Sequence, residues 1–233
     1  MKRGLQILLF ILCCAKLHGQ TLYVPSQYSS IQSAITAADD NDTIIVSAGR
    51  YCENINFLGK AIIVRSLDPN DPDIVGTTII DGNQPADANK GSVATFNSGE
   101  DNNSVLSGFT ITGGSGTWLQ IAWDLQQVYW NRCGGGVVCY NKSAPTISKN
   151  IFINNIAGEG GGIYVYGDPC NSADPNTPHN PLVHIKPLII NNTFTNNSAV
   201  VNHGFAPPDG NYPATEHGDG GAIVCFQGVD ANI

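Results

Sequence analysis

The chain has 233 residues and a mass of 24.7 kDa, which is enough for one domain of ordinary size. Hydrophobic residues make up 42% of it, near the globular norm, whereas Asp, Glu, Lys and Arg together make up only 13%, about half the usual share. This low charge content excludes a coiled coil, a helical bundle rich in Ala, Glu and Lys, and a highly charged disordered tail.

The first 20 residues have the pattern of an export signal. Lys2 and Arg3 precede an apolar run from Leu5 to Cys14, and Gly19 is a small residue close to the expected cleavage site. The run is too short to span a bilayer comfortably, and no other stretch is apolar for long enough. We therefore expect residues 21–233 to form one mature domain without a membrane span, secreted or displayed on a cell surface.

Removal of this signal makes the mature chain strongly acidic. It takes away Lys2, Arg3 and Lys16 from the 11 basic residues and none of the 19 acidic ones, so 8 basic residues remain against 19 and the net charge is −11. Such a surface repels nucleic acid and anionic lipid, so we expect neither as a partner.

The cysteines of the mature chain form neither a recognisable disulfide framework nor a zinc motif. Their number is odd, and no Cys-x-x-Cys or Cys/His spacing is typical of zinc. We interpret most of them as small buried apolar side chains: Cys52, Cys133, Cys139, Cys170 and Cys225.

One short helix is predicted near the start of the mature chain. Ser29 and Gln32 have the spacing of a capping box. Apolar residues then recur at helical spacing: Ile31, Ala34, Ile35 and Ala38. Short strands are predicted downstream of it, at 43–46, 61–64 and 78–80.

Two motifs alternate along the rest of the chain. A glycine-rich strand start occurs at 134–139, 160–165 and 220–225, and a Phe-x-x-Asn strand at 150–155 and 192–197, with an earlier copy at 108–112. The cleanest unit runs 26 residues, from Gly134 to Gly160. Units of this size, with β-branched strands and Gly or Asn corners, predict an all-β solenoid whose open first turn is capped by the N-terminal helix.

Stacking of these units predicts which side chains share the core. Ile163 and Val165 should point inward, and the tyrosines between and after them outward. Val165 then lies in one interior column between Cys139 and Cys225. These two cysteines would be about 10 Å apart, which is too far for a disulfide.

The Phe-x-x-Asn copies predict two further columns. Asn155 and Asn197 should form an amide ladder at a corner, with hydrogen bonds from one unit to the next. Phe152 and Phe194 should stack inside the solenoid and not in a ligand site.

The repeats resemble the right-handed parallel β-helix proteins of the pectin-lyase-like group. The segments 31–35, 42–46, 49–53 (Gly-Arg-Tyr-Cys-Glu) and 79–82 are similar to that group's first coil. The Gly-Gly-Ala-Ile segment 220–223 and the Phe-x-x-Asn copies resemble the repeats of chlamydial polymorphic outer-membrane proteins. The resemblance implies a right-handed parallel β-helix over residues 21–233 but no particular activity, because these are scaffold motifs.

The catalytic motifs of enzymes that share this fold have no counterpart that we find in the sequence. We find no counterpart of the paired aspartates and glutamine motifs of pectin methylesterases. No Arg-Pro pair or Asp-Asp pair marks the active site of a lyase or polygalacturonase either. Asp39 and Asp40 are adjacent, but they fall at the end of the predicted helix, where polar residues are expected.

Three insertions interrupt the repeats, and insertions are where repeat proteins usually carry function. Residues 115–132 and 202–219 both precede a glycine-rich strand and should leave the same corner, whereas 167–186 should leave another. The first holds aromatic side chains suited to stacking on sugar rings: Trp118, Trp123, Tyr129 and Trp130. The competing interpretation is that they pack the insertion against the solenoid.

The insertion 202–219 holds side chains suited to acid–base chemistry or metal binding: His203, Asp209, Glu216, His217 and Asp219. No spacing fixes them on one face, so a solvated polar loop is favoured and no metal site is predicted. The acidic turn 68–73 lacks the mid-loop Gly and distal Glu of an EF-hand, which favours a proline-punctuated turn. Calcium is therefore the only cofactor that the sequence leaves open.

Three functional hypotheses follow. The first is a secreted or surface scaffold that binds a polysaccharide or cell-surface glycan, or acts in adhesion. The second is a polysaccharide-processing enzyme, a lyase, hydrolase or esterase, on the same fold. The third is a passenger fragment of a longer surface protein, because the sequence ends in mid-repeat, soon after a glycine-rich strand.

Overall fold

A computed structural model describes residues 19–122, 128–167, 185–200, 220–226 and 229–233. The described chain is almost entirely β, with two short helices. In chain order the elements are β1 (Thr21–Val24), α1 (Ile31–Ala37), β2 (Thr43–Val46), β3 (Gly49–Tyr51), β4 (Ile55–Asn56), β5 (Ile63–Ser66), α2 (Pro72–Thr77), β6 (Thr78–Asp81), β7 (Lys90–Gly91), β8 (Ala94–Phe96), β9 (Val105–Ser107), β10 (Thr110–Thr112), β11 (Gly116–Ala122), β12 (Val128–Cys133), β13 (Val137–Cys139), β14 (Thr146–Ser148), β15 (Ile151–Ile153), β16 (Ile156–Ala157), β17 (Ile163–Tyr166), β18 (Leu188–Ile190), β19 (Thr193–Thr195), β20 (Ser198–Ala199) and β21 (Ile223–Phe226).

The chain passes repeatedly through three sheets. Sheet A has the order β1-β2-β5-β9-β14-β18, sheet B the order β3-β6-β10-β15-β19, and sheet C the order β4-β8-β13-β17-β21. All neighbouring strands within these sheets are parallel. We call each pass a rung, from the first (β2, β3, β4) to the fifth (β18, β19, β21). This winding of an all-β chain is compatible with the expected β-helix.

One apolar core runs through all five rungs and is built from stacked columns. In sheet A the column contains Leu22, Ile44, Val64, Leu106, Ile147 and Ile189, all of them buried. In sheet C, Val165 lies between Cys139 and Cys225 in the predicted register; Cys139 and Val165 are buried, whereas Cys225, in the fifth rung, is exposed. The described cysteines, among them Cys139 and Cys225, are free, as predicted for this pair.

Helix α1 covers the open side of the first rung with Ile31, Ala34 and Ile35, which join the core. Its capping box was predicted one residue too early. Ser30, and not Ser29, is the N-cap: its Oγ accepts from Ser33 N at 3.1 Å, and Ser33 Oγ accepts from Ser30 N at 3.3 Å.

Two charged side chains of the first rung hold the ends of α1. The Glu53 carboxylate accepts from Ile31 N and Gln32 N, both at 2.9 Å. Lys60 Nζ donates to three carbonyl oxygens at the other end, those of Ile35, Thr36 and Ala38. A negative charge at the start of a helix and a positive one at its end both stabilise it. The Glu of the Gly-Arg-Tyr-Cys-Glu turn therefore has a structural role.

A second helix, α2, was not predicted. Asp71 caps it by accepting from Asp73 N and Ile74 N, and Pro72 starts it. Asp68 Oδ1 accepts from Asn70 N at 2.9 Å, which forms a turn just before. The acidic segment 68–73 thus adopts the proline-punctuated turn that the sequence favours, and this turn leads into a helix.

The corners on both sides of sheet B carry asparagine ladders. Asn155 Oδ1 accepts from Gly114 N, and Asn155 N and Nδ2 donate to Asn197 Oδ1 at 3.2 and 3.0 Å, which confirms the predicted ladder. A second ladder, of Asn150 on Asn192, has the same geometry. Between the ladders the rings of Phe152 and Phe194 stack 4.9 Å apart, also as predicted.

Candidate functional site

Strands β11 and β12 of the insertion at residues 115–132 pair antiparallel, and we call this pair of strands the hairpin. Trp118 lies opposite Arg132, and Gln120 lies opposite Trp130. Because side chains alternate along a strand, these four lie on one face of the hairpin. The opposite face carries Leu119, Ile121, Tyr129, Asn131 and Cys133.

The second face of the hairpin packs on the outer side of sheet C. It forms a small apolar cluster, separate from the core, of Leu119, Ile121, Cys133, Val138, Tyr164 and Tyr166. Tyr164 and Tyr166 thus belong to the outer side of sheet C, as predicted, but they are only 0% and 4% exposed because the hairpin covers them.

A buried carboxylate, Glu159, anchors the hairpin. Its side chain is 3% exposed, and Oε1 accepts from Asn131 Nδ2 at 2.7 Å and from Tyr129 Oη at 3.3 Å. The main chain contributes as well, because Gly158 N and Glu159 N both donate to Arg132 O. Polar and apolar contacts together therefore fix the hairpin on the fourth rung.

The titratable groups around Glu159 keep their protons. Burial, and then the Glu159 charge, raise the pKa of Tyr129. Burial raises the pKa of Tyr164 far above its ordinary value, with further increases from Cys133 and Glu159. Burial and Glu159 raise the pKa of the Cys133 thiol, against a smaller opposing effect of Tyr164. A protonated, fully buried thiol is inert, so this centre serves attachment and not nucleophilic chemistry.

The four side chains on the first face of the hairpin differ in their exposure to solvent. Trp118 is 7% exposed, and its ring centroid lies 5.8 Å from the Cζ of Arg132, within reach of a cation–π interaction. Gln120 is exposed, and Trp130 and Arg132 are partly exposed. Arg132 Nη2 also donates to Ala88 O at 3.1 Å. An indole, an amide and a guanidinium can together contact an apolar ring face and its hydroxyl groups.

The predicted site residues therefore fall into three groups. Trp118 and Trp130 lie on the outward face, where Trp118 is buried and Trp130 partly exposed, and Tyr129 lies on the face against sheet C. Trp123 lies outside the described residues. So do the candidates of the insertion 202–219, which are His203, Asp209, Glu216, His217 and Asp219.

Sequence reasoning missed the residues that fix this site. Asn131 and Glu159 join the hairpin to the fourth rung, and Gln120 and Arg132 complete the outward face. The β-branched and aromatic residues Thr117, Trp118 and Ile121 were a usable signal for a strand. Nothing in the sequence indicated that Glu159 would lie beneath it.

Two kinds of feature are absent from the described residues. They contain no group of three or more His, Cys, Asp or Glu side chains able to hold a metal ion. None of the helices in the described ranges is long and apolar enough to cross a membrane.

The fold and the site together define a repeat-built scaffold of parallel sheets with one hairpin fixed on its side. Residues 193–225, which contain β19, β20 and β21, match the family model of the Chlamydia polymorphic membrane protein repeat. The match supports the likeness to polymorphic membrane protein repeats, whereas the likeness to the pectin-lyase-like group stays a prediction. No curated protein and no solved structure matches the chain.

Proposed function

We propose that the protein is a surface-displayed scaffold, a right-handed parallel β-helix, that binds carbohydrate on the outward face of its hairpin. The observation that carries the proposal is the pairing of a partly exposed indole, Trp130, with the exposed amide of Gln120 on a firmly attached hairpin. The surface location is supported by the match of one rung to a repeat of membrane proteins.

The scaffold part of the proposal is supported by how the buried carboxylates are used. Asp42 accepts from Gln20 N and Asp39 N, and Glu100 accepts from Gly59 N, Ser98 N and Ser143 Oγ. Asp81 pairs with Arg50 and accepts from Asn83 N. These acidic groups hold corners of the rungs, a role suited to a rigid frame.

The binding part is supported by preorganisation. The hairpin is held by the Glu159 bonds and by an apolar cluster, so the outward side chains start from strands with little freedom to lose on binding. An indole offers an apolar face for the CH groups of a sugar ring, and the Gln120 amide and Arg132 guanidinium can bond to its hydroxyls.

The test is retention of the mature protein on a panel of neutral and acidic polysaccharides, with soluble products measured in the same samples. Trp130→Ala should weaken retention roughly tenfold, the effect of about 1.4 kcal/mol of lost stacking and contact. Tyr23→Ala is the matched control, because Tyr23 is 43% exposed but lies on sheet A. The Tyr23→Ala protein should be retained as strongly as the wild-type protein.

Three results would contradict the proposal. They are retention by no member of the panel, equal retention of Trp130→Ala and wild type, and release of soluble sugar products, which favours the enzyme hypothesis. Trp118→Ala is not a useful substitute, because Trp118 is buried and its loss would also change stability.

A further inference from the structure

A groove of about 340 Å³ lies on the outer side of sheet B, beside α2. It is shallow and open to solvent, so it would contact one face of a small ligand. It is lined by Pro69, Pro72, Val75, Lys149, Asn191 and Thr193, with Ile151 in the floor. None of these residues belongs to the hairpin, which packs on sheet C.

The wall of the groove is fixed by the segment that contains α2. Pro69 packs so closely on the third-rung corner that a Cβ on Gly108 would lie 2.8 Å from the Cα of Pro69. Val75 O accepts from Thr110 Oγ1 at 3.0 Å. Thr110, in the third rung, pairs in register with Ile151, and Ile151 pairs with Thr193. The strands of the fourth and fifth rungs therefore form the floor of the groove, next to this wall.

The side of the groove is a corner with an unusual residue. Gly108, Lys149 and Asn191 occupy this corner in successive rungs, with φ of +81°, +57° and +56°. A lysine in this left-handed region costs about 1 kcal/mol relative to glycine. Lys149 is held there with its Nζ donating to Asn70 Oδ1 at 2.6 Å. Left-handed residues recur at corners of this chain, so what distinguishes Lys149 is the contact that holds its ammonium group beside the groove.

The floor and side combine apolar and polar groups. Pro72, Val75 and Ile151 offer apolar surface. The Asn191 amide and the Thr193 hydroxyl are exposed and have no hydrogen-bond partner among the described residues. An apolar patch beside amide, hydroxyl and ammonium groups matches a sugar ring, which has apolar CH faces and hydroxyls at its edge.

The charge of the wall selects between neutral and acidic sugars. Asp68, Asp71 and Asp73 lie in the wall segment 68–73, next to the residues that line the groove, and Lys149 is the one charged residue in the lining. An anionic ligand would meet net repulsion. We infer that this groove binds a neutral pyranose unit of a glycan. The inference goes beyond the proposed function and does not depend on the hairpin.

The experiment is an NMR titration with the methyl glycosides of glucose, galactose, mannose and N-acetylglucosamine, and of glucuronic and galacturonic acid. A neutral glycoside should shift the amide signals of Lys149 and Thr193. Lys149→Gly should bind at least tenfold more weakly, yet unfold at the same or a higher temperature, because glycine relieves the backbone strain. Thr193→Val keeps the shape of the side chain and should also weaken binding.

Lys142→Gly is the matched control. Lys142 has φ of +66°, is exposed and does not line the groove, so its replacement should relieve similar strain without changing affinity. In Trp130→Ala the shift of the Thr193 amide signal should follow the same titration curve as in wild type, whatever happens at the hairpin, which separates the two sites. Unchanged affinity of Lys149→Gly, shifts with the acidic glycosides alone, or no shift with any glycoside would overturn the inference.

Discussion

The buried amide of Asn131 donates a 2.7 Å hydrogen bond to Glu159, and this bond joins the hairpin to the rung beneath it. Asn131 is 0% and Glu159 is 3% exposed, so water cannot replace the bond. A carboxylate in such a place is costly unless its oxygens are bonded. Attachment of the hairpin therefore depends on a few buried polar contacts as well as on apolar packing.

Asn131→Ala should lower the free energy of unfolding by about 1–3 kcal/mol, because it removes a 2.7 Å hydrogen bond to a buried carboxylate. Urea unfolding followed by tryptophan fluorescence measures this, since Trp118 and Trp130 both lie on the hairpin. Gln120→Ala, an exposed position on the same hairpin, should change stability by less than about 0.5 kcal/mol. Equal effects of the two variants would mean that the Glu159 bond does not hold the hairpin.

Stability should fall at high pH because buried tyrosines must keep their protons. Burial raises the pKa of Tyr129 and of Tyr164 above the ordinary 10.0. Above pH 10 the unfolded chain therefore loses protons that the folded protein retains, and unfolding becomes easier. The loss is up to about 1.4 kcal/mol per pH unit for each such group. Below pH 10 the tyrosine contribution is constant.

Tyr164→Phe should remove the part of this loss of stability at high pH that Tyr164 causes. At neutral pH its effect should be small, because the Tyr164 hydroxyl has no conventional hydrogen-bond partner among the described residues. Urea unfolding at several pH values from about 8 to 11 tests this. Tyr23→Phe, at an exposed tyrosine, should leave the pH dependence as in wild type. A Tyr164→Phe curve parallel to wild type would contradict the prediction.

The repeats made the rungs predictable because stacking places the same residue type on itself. Phe152 on Phe194 and Asn155 on Asn197 could be recognised from recurrence alone. The ladder of Asn150 on Asn192 follows the same rule, since the first Asn of the motif recurs at the same spacing. The N-cap was missed by one residue, since adjacent serines at 29 and 30 offer the same capping group.

The insertions were less predictable because nothing in them recurs. The hairpin is held by contacts between unlike residues, such as Asn131 with Glu159, which no spacing rule relates. Helix α2 is too short for a periodic apolar pattern, so only its Asp-Pro start could have indicated it. The groove beside it depends on contacts between different rungs, as of Lys149 with Asn70, and has no local signature.

The asparagine ladder should contribute more inside the stack than at its end. Asn155 is 0% exposed and bonds both to the rung before it, through Gly114 N and Ile111 O, and to Asn197 after it. Asn155→Ala leaves several buried groups unsatisfied and should cost about 3 kcal/mol or more. Asn197→Ala, at a partly exposed position, should cost clearly less in the same urea unfolding measurement. The reverse order would contradict the ladder model.

Glycine in the third position of the glycine-rich motif should be required inside the stack but not in the fifth rung. Gly136, Gly162 and Ala222 occupy equivalent places, since the residues after them pair in register. A Cβ on Gly136 would lie 2.6 Å from Gly162 O and 2.7 Å from the Phe152 ring. Gly136→Ala therefore forces the rungs apart and should cost about 1–3 kcal/mol or more.

Ala222, the equivalent residue of the fifth rung, serves as the control for Gly136, because it already carries a Cβ and is exposed. Ala222→Gly should cost only about 0.5–1 kcal/mol, the usual effect of glycine in regular structure. Thermal unfolding of both variants measures the contrast, and for a domain of this size each kcal/mol shifts the midpoint by roughly 2–4 °C. A Gly136→Ala protein as stable as wild type would show that the glycine-rich motif is not needed for close stacking of the rungs.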